Sequence, residues 1–176
     1  MLSWGYGTLL EDGRGLSDLM QGVTLEIFGE GRSPGPYYED GKLVSFGDAM
    51  NKLEESGVSI NVASFLGAAT TRILEVGYEN RDATDQEMKR MKNIVRKSME
   101  EGAMGIGSSL IYAPGDYANT NELIELSKSA SEYGGMYISH LRNEGTTLLE
   151  AFDELMTIAR EADICLLYTS PSARDT

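Results

Sequence analysis

GAMGIGSSLIYAPGDYANTNELIELSKSASEYGGMYISHLRNEG, residues Gly102–Gly145, holds two short apolar runs, MGIGSSL and GMYISHL, separated by an amphipathic segment. The runs have strand length, and Leu123, Leu126 and Ala130 between them fall at helical spacing, which predicts a strand-helix-strand unit. The second run ends on His140, the only histidine of the chain, with Arg142, Asn143 and Glu144 directly after it. A strand that delivers an imidazole into a polar loop is how parallel α/β enzymes assemble sites at the carboxyl edge of the sheet.

The same alternation extends in both directions. Val23–Phe28 (VTLEIF) reads as a strand that breaks into GEGRSPGP, where glycine and proline exclude a helix and place Glu30 in a loop just past the strand. Ser45 to Gly57 reads as a helix capped by Ser45 and Asp48, and Val58–Leu66 reads as the next strand. A long polar loop is expected after Leu66. Thr84 and Glu87 then form a capping box ahead of Met88, Met91, Ile94, Val95 and Met99, a stripe that reads as core packing. Thr147 and Glu150 box a further helix, and DICLLY opens another strand, whereas Met1–Leu10 has no clear period. The order is β-α-β-α-β-α-β with roughly thirty to forty residues per repeat, the spacing of parallel crossover units. Pattern alone leaves two α/β architectures, an open doubly wound sheet or part of a (β/α)8 barrel.

The totals narrow the function. The chain has 176 residues and a formal net charge of -13, and no Lys/Arg cluster of the kind phosphate contacts need, so nucleic acid is excluded as a partner. No apolar run approaches the ~18 residues of a membrane span, and the start is not a signal peptide. A single cysteine excludes an internal disulfide, and a cytoplasmic enzyme is expected. Strand ends bring Glu30, Ser64 to Gly67, Ser108, Ser109, Tyr112, His140 and Arg142 toward one mouth. Imidazole and carboxylate suit Zn²⁺, and a guanidinium suits a substrate carboxylate. The residues alone leave His140 as ligand, acid/base or simply hydrogen-bonded. They leave Arg142 as substrate contact or as partner of Glu144 or another carboxylate, and Glu30 as ligand or as a loop hydrogen-bond acceptor. GEGRSPG lacks the spacing of a dinucleotide loop, and no serine sits in a G-x-S-x-G elbow.

GVTLEIFGEG, LIYAPGDYA and YGGMYISHLRNEG with its following helix resemble the N-acyl-D-amino-acid deacylases (D-aminoacylases) of the amidohydrolase superfamily, over roughly Gly13 to Ala162. The resemblance implies a metal-dependent (β/α)8 TIM-type barrel, here about strands 2 to 5 with their helices. It implies removal of the N-acyl group from N-acyl-D-amino acids by metal-activated water, with one or two Zn²⁺ ions in the complete enzyme. His140 is then the metal-binding histidine of the fifth strand, and Arg142 and Tyr112 contact the substrate, Arg142 through its carboxylate. Where the family carries Asn-Cys-Gly with a metal-binding cysteine, this chain has Gly29-Glu30-Gly31. Glu30, one position before the cysteine's place, is the expected replacement ligand. The family's first-strand His-x-His, sixth-strand histidine and catalytic aspartate have no counterparts, so no catalytic residue is assigned. The chain is expected to be an internal fragment, inactive alone, with residues 1–162 as a partial barrel domain. Residues 163–176, ending in CLLYTSPSARDT, resemble translated adapter sequence and are expected to be a non-native tail. The alternatives are a dihydroorotase-like cyclic amide or imide hydrolase, or a non-catalytic α/β module with exposed sheet edges and poor stability.

Overall fold

The computed structural model describes residues 1–167. Its centre is an arc of parallel strands. β1 (Leu25–Phe28) pairs with β4 (Asn61–Ser64), whose path continues after Phe65 into β5 (Leu66–Gly67). The Phe65 amide donates to the Phe28 carbonyl at 2.9 Å, so the ladder to β1 persists through the break. β5 pairs with β6 (Gly105–Ser109), β6 with β7 (Met136–His140), and β7 with β8 (Cys165–Leu167), all parallel. The α/β barrel arc expected from the sequence is therefore present. Residues 163–167, assigned above to the tail, run from the end of the preceding helix into β8. The rest of that tail lies outside the described residues.

Helices cover one face of the arc, and local chemistry accounts for most of their ends. α3 (Phe46–Ser56) and α5 (Asp85–Glu100) begin in the two capping boxes read from the sequence, Ser45 with Asp48 and Thr84 with Glu87. α6 (Thr120–Ser131) is capped by Asn119, whose Oδ1 accepts from the Glu122 amide at 2.9 Å. α7 (Leu148–Glu161) departs from expectation, because Thr147 makes no side-chain cap and the Thr147 amide instead donates to Asn143 Oδ1 at 3.4 Å. The core between helices and arc is built from Leu66, Met91, Val95, Ile106, Leu123, Leu126, Tyr137, Leu155 and Ile158. The methionine stripe is core, as its spacing indicated.

Four elements go beyond what the sequence pattern predicts. α1 (Tyr6–Glu11) packs Leu9 into a second cluster with Phe28, Leu53 and Ile60. β2 (Tyr37–Glu39) and β3 (Lys42–Val44) form an antiparallel hairpin. The expected polar loop after Leu66 is instead α4 (Ala68–Glu75), with Ala68, Ala69, Thr70, Thr71 and Arg72 all buried. The Arg72 guanidinium donates to Glu122 Oε2 on α6 at 2.6 Å and to the Glu79 and Arg81 carbonyls, which pairs the charge inside, while Arg72 Nε and Glu122 Oε1 stay buried without a partner.

Candidate metal centre and its surroundings

β6 and β7 divide their side chains between two faces. Ser108 bonds to the Tyr137 hydroxyl at 2.6 Å and to Ser139 Oγ at 2.9 Å, and Tyr137 belongs to the helix-side core. Burial among the helices pushes the Tyr137 phenol up to about 12, against the pull of its serine contacts. Alternation therefore turns Gly105, Gly107 and Ser109 of β6, with Ile138 and His140 of β7, toward the concave interior. Ser109 and His140 are register partners there.

The loop after β1 lies across this interior. A Cβ on Gly107 would stand 3.1 Å from the Glu30 Cα, and a Cβ on Gly31 would stand 2.7 Å from the Ser109 Cβ. Both strand and loop thus come to backbone contact, and Glu30 is carried to the mouth that holds His140. Burial pushes the Glu30 carboxyl above its ordinary value; the His140 charge opposes this and Glu144 adds to it. His140 is half-buried, its Nε2 3.5 Å from Glu144 Oε1. Tyr112 stacks on the imidazole with ring centres 5.9 Å apart, and Trp4 meets Tyr112 edge-on at 6.2 Å. His140, Glu30 and Tyr112 are brought together. Glu144 and Trp4, not assigned to the site above, join them; Glu144 was legible as the neighbour of the strand-end histidine, and Trp4 was not.

Arg142 goes elsewhere. Its Nε and Nη2 donate to the two carboxylate oxygens of Glu154 on α7, each at 2.8 Å, and further bonds run to the Asp116 and Ala118 carbonyls. Four of the five guanidinium N–H groups are engaged. The bidentate Nε/Nη2 edge of Arg142 is occupied by Glu154. Pairing with a carboxylate was the other reading of the residue, and the partner is Glu154. The cavity of about 380 Å³ lined by Arg32, Tyr37, Tyr38, Thr70, Leu74 and Tyr78 includes none of Glu30, Tyr112, His140 or Glu144.

No protein-family model matches the sequence. The D-aminoacylase of Alcaligenes xylosoxydans xylosoxydans is 30% identical over 148 residues, which are 81% of this chain and 31% of that enzyme. The N-acyl-D-aspartate deacylase of the same organism is 28% identical over 129 residues, 73% of this chain and 26% of that enzyme. The crystal structure of a D-aminoacylase that defines a novel subset of amidohydrolases superposes on 96% of this chain and 38% of its own, with TM-score 0.85 and 26% identity. Over the matched residues the chain is similar to the N-acyl-D-amino-acid deacylases. Another D-aminoacylase structure, described for the functional role of its binuclear metal centre, gives a TM-score of 0.84 at 26% identity over 92% of this chain and 37% of its own. The chain spans about a third of the length of these relatives.

Against this family the first donors present are one imidazole and one carboxylate, the chemistry of a zinc-type site. Among the described residues no three His, Cys, Asp or Glu side chains are gathered closely enough to hold a metal ion. The residues fit one flank of such a site and do not close it. Gly31 has φ +100°, and an added Cβ there would stand 2.7 Å from the Ser109 Cβ, so a side chain at this position has no room. Among the described residues no helix is long and apolar enough to cross a membrane.

Proposed function

We propose that this chain forms the fifth-strand flank of the active site of an N-acyl-D-amino-acid deacylase. The convergence of His140, at the end of β7, and Glu30, from the loop after β1, on one concave mouth carries the reading. His140 and Glu30 would hold a zinc-type cation, which when bound supplies Lewis acidity for amide hydrolysis. Glu144, within ion-pair reach of the imidazole, orients His140 in the manner of an outer-shell carboxylate. Tyr112 covers one face of the imidazole, shields it from water and presents its hydroxyl to the small-molecule substrate.

Arg142 is a positioning residue. Its bonds to Asp116 and Ala118 tie the segment after β6 to the end of β7, and Glu154 ties both to α7. Tyr112 and His140 thereby keep their relative placement. The reading carries with it a cytoplasmic setting.

Zinc titration of this chain by calorimetry tests the metal reading: saturable binding is expected, lost in His140→Ala and weakened in Glu30→Gln. Unchanged affinity in His140→Ala overturns it. Grafting the chain in place of the aligned segment of the Alcaligenes D-aminoacylase tests the substrate. Zinc-dependent release of free D- but not L-amino acid from N-acyl precursors is expected.

A further inference from the structure

α4 is apolar on two sides. Ala68 and Val76 join the helix-side core, whereas Thr70, Ile73 and Leu74, three and four positions apart and so on one face, line the cavity of about 380 Å³. That volume falls in the range of about 300–1,000 Å³ of small-molecule sites. Pro36, Tyr37 and Tyr38, leading into the β2–β3 hairpin, supply a second wall. The walls are fixed to each other, because the Ser33 amide donates to Thr70 Oγ1 at 2.9 Å and the Ser33 hydroxyl to the Gly35 carbonyl at 2.5 Å. The charged group set among these apolar and aromatic surfaces is Arg32. Its Nη2 donates to the Tyr78 hydroxyl at 2.9 Å, and its guanidinium carbon stands 5.6 Å from the centre of the Tyr78 ring. The chain carries 28 Asp and Glu against 15 Lys and Arg. Of the eight arginines among the described residues, six are ion-paired with Asp or Glu, and Arg32 and Arg160 are not. No Asp or Glu lines the cavity, so an anion there meets no like charge in its walls. Four of the five Arg32 N–H groups make no side-chain or backbone bond among the described residues. Lys52, beside Tyr37, is already paired with Glu39 at 2.8 Å.

We propose that this cavity is a binding site for a small planar aromatic carboxylate, its ring system held by the tyrosines and by Ile73 and Leu74, its carboxylate on Arg32. Tyrosine rings take an aromatic body by offset or edge contact. A guanidinium takes a carboxylate through paired N–H groups, which a neutral ligand of the same shape cannot use. The inference stands apart from the metal reading, since the cavity shares no residue with it.

The experiment is equilibrium dialysis of the full chain against 2-naphthoate, with a chelator present throughout so that metal takes no part. Saturable binding of one molecule per chain is expected. The neutral isostere 2-naphthalenemethanol should bind at least about tenfold more weakly, and so should 2-naphthoate to Arg32→Gln. Tyr38→Ala should weaken 2-naphthoate about three- to tenfold through the lost ring contact. Arg32 and Tyr38 are both exposed, so the urea midpoints of these variants should match the parent. Arg160→Gln removes the same charge from the other arginine without a carboxylate and should leave the affinity unchanged. Absence of saturable 2-naphthoate binding overturns the proposal. Equal affinity for the alcohol, or an Arg32→Gln affinity equal to that of the parent, overturns it as well. Weakening by Arg160→Gln as large as that by Arg32→Gln overturns it too, because it marks general attraction of an anion rather than a site.

Discussion

Replacing Gly107 by alanine tests whether the interior of the arc holds the Glu30 loop as described. Gly107 has no positive φ, so alanine is compatible with the backbone and the effect is steric. The new Cβ would fall 2.8 Å from the Gly29 carbonyl carbon, where ordinary contact begins at 3.4 Å, and closer still to the carbonyl oxygen. The neighbour is backbone rather than a flexible side-chain tip, so the loop must move as a unit. In an open strand Gly→Ala stabilises by about 0.5–1 kcal/mol. Here overpacking reverses the sign, and a net loss of about 1–3 kcal/mol is expected, or about 2–12 °C in Tm for a chain of this size. The displaced loop carries Glu30, so zinc affinity should fall as well. Gly7→Ala, in α1 with nothing within 4 Å of the added Cβ, is the matched control and should gain stability. Urea unfolding and zinc calorimetry on both variants provide the measurement. A Gly107→Ala protein as stable as the parent, with unchanged zinc affinity, refutes the packing argument.

Two further outcomes follow from the buried charges. Glu122→Gln strands the fully buried Arg72 guanidinium and should cost about 3–5 kcal/mol in urea unfolding, whereas Arg72→Met with Glu122→Leu should recover most of it; a double variant no better than the single one would contradict the pairing. For Glu154, burial raises the carboxyl most strongly, but the bonds from Arg142 and Thr120 outweigh it and the net direction is down. A lowered folded-state value means that stability from this group is fully present above the ordinary 4.5 and is lost as pH falls through the lowered value. Urea midpoints compared between neutral pH and about pH 3 should therefore drop further in the parent than in Glu154→Gln, and equal drops would remove Glu154 from the acid response.

Legibility followed range. The strands at Val23–Phe28 and Met136–His140 and the capping boxes at Ser45 and Thr84 depend on residues within a few positions of one another, and all were readable. α4 was missed because the partner of its buried charge is far away in sequence, Glu122 lying fifty positions beyond Arg72. The Thr147 box failed because Asn143 reached the Thr147 amide first, a competition between neighbours that spacing does not rank. His140 at a strand end was readable, and so was Glu30 in the following loop of another strand.

The amino-acid order by itself determined that crossover units build a parallel sheet and that the one histidine ends its strand at the carboxyl edge, because hydrophobic period and capping are local properties. Tertiary structure alone decided which charged group meets which. It gave Arg142 to Glu154 rather than to an open edge, and it laid the Glu30 loop over Gly107. It also turned Ser109 inward beside His140 with its hydroxyl unpaired. Those outcomes depend on how separate strands and helices stack, and the charges and hydroxyls involved are chemically able to choose among several partners until packing brings one within reach.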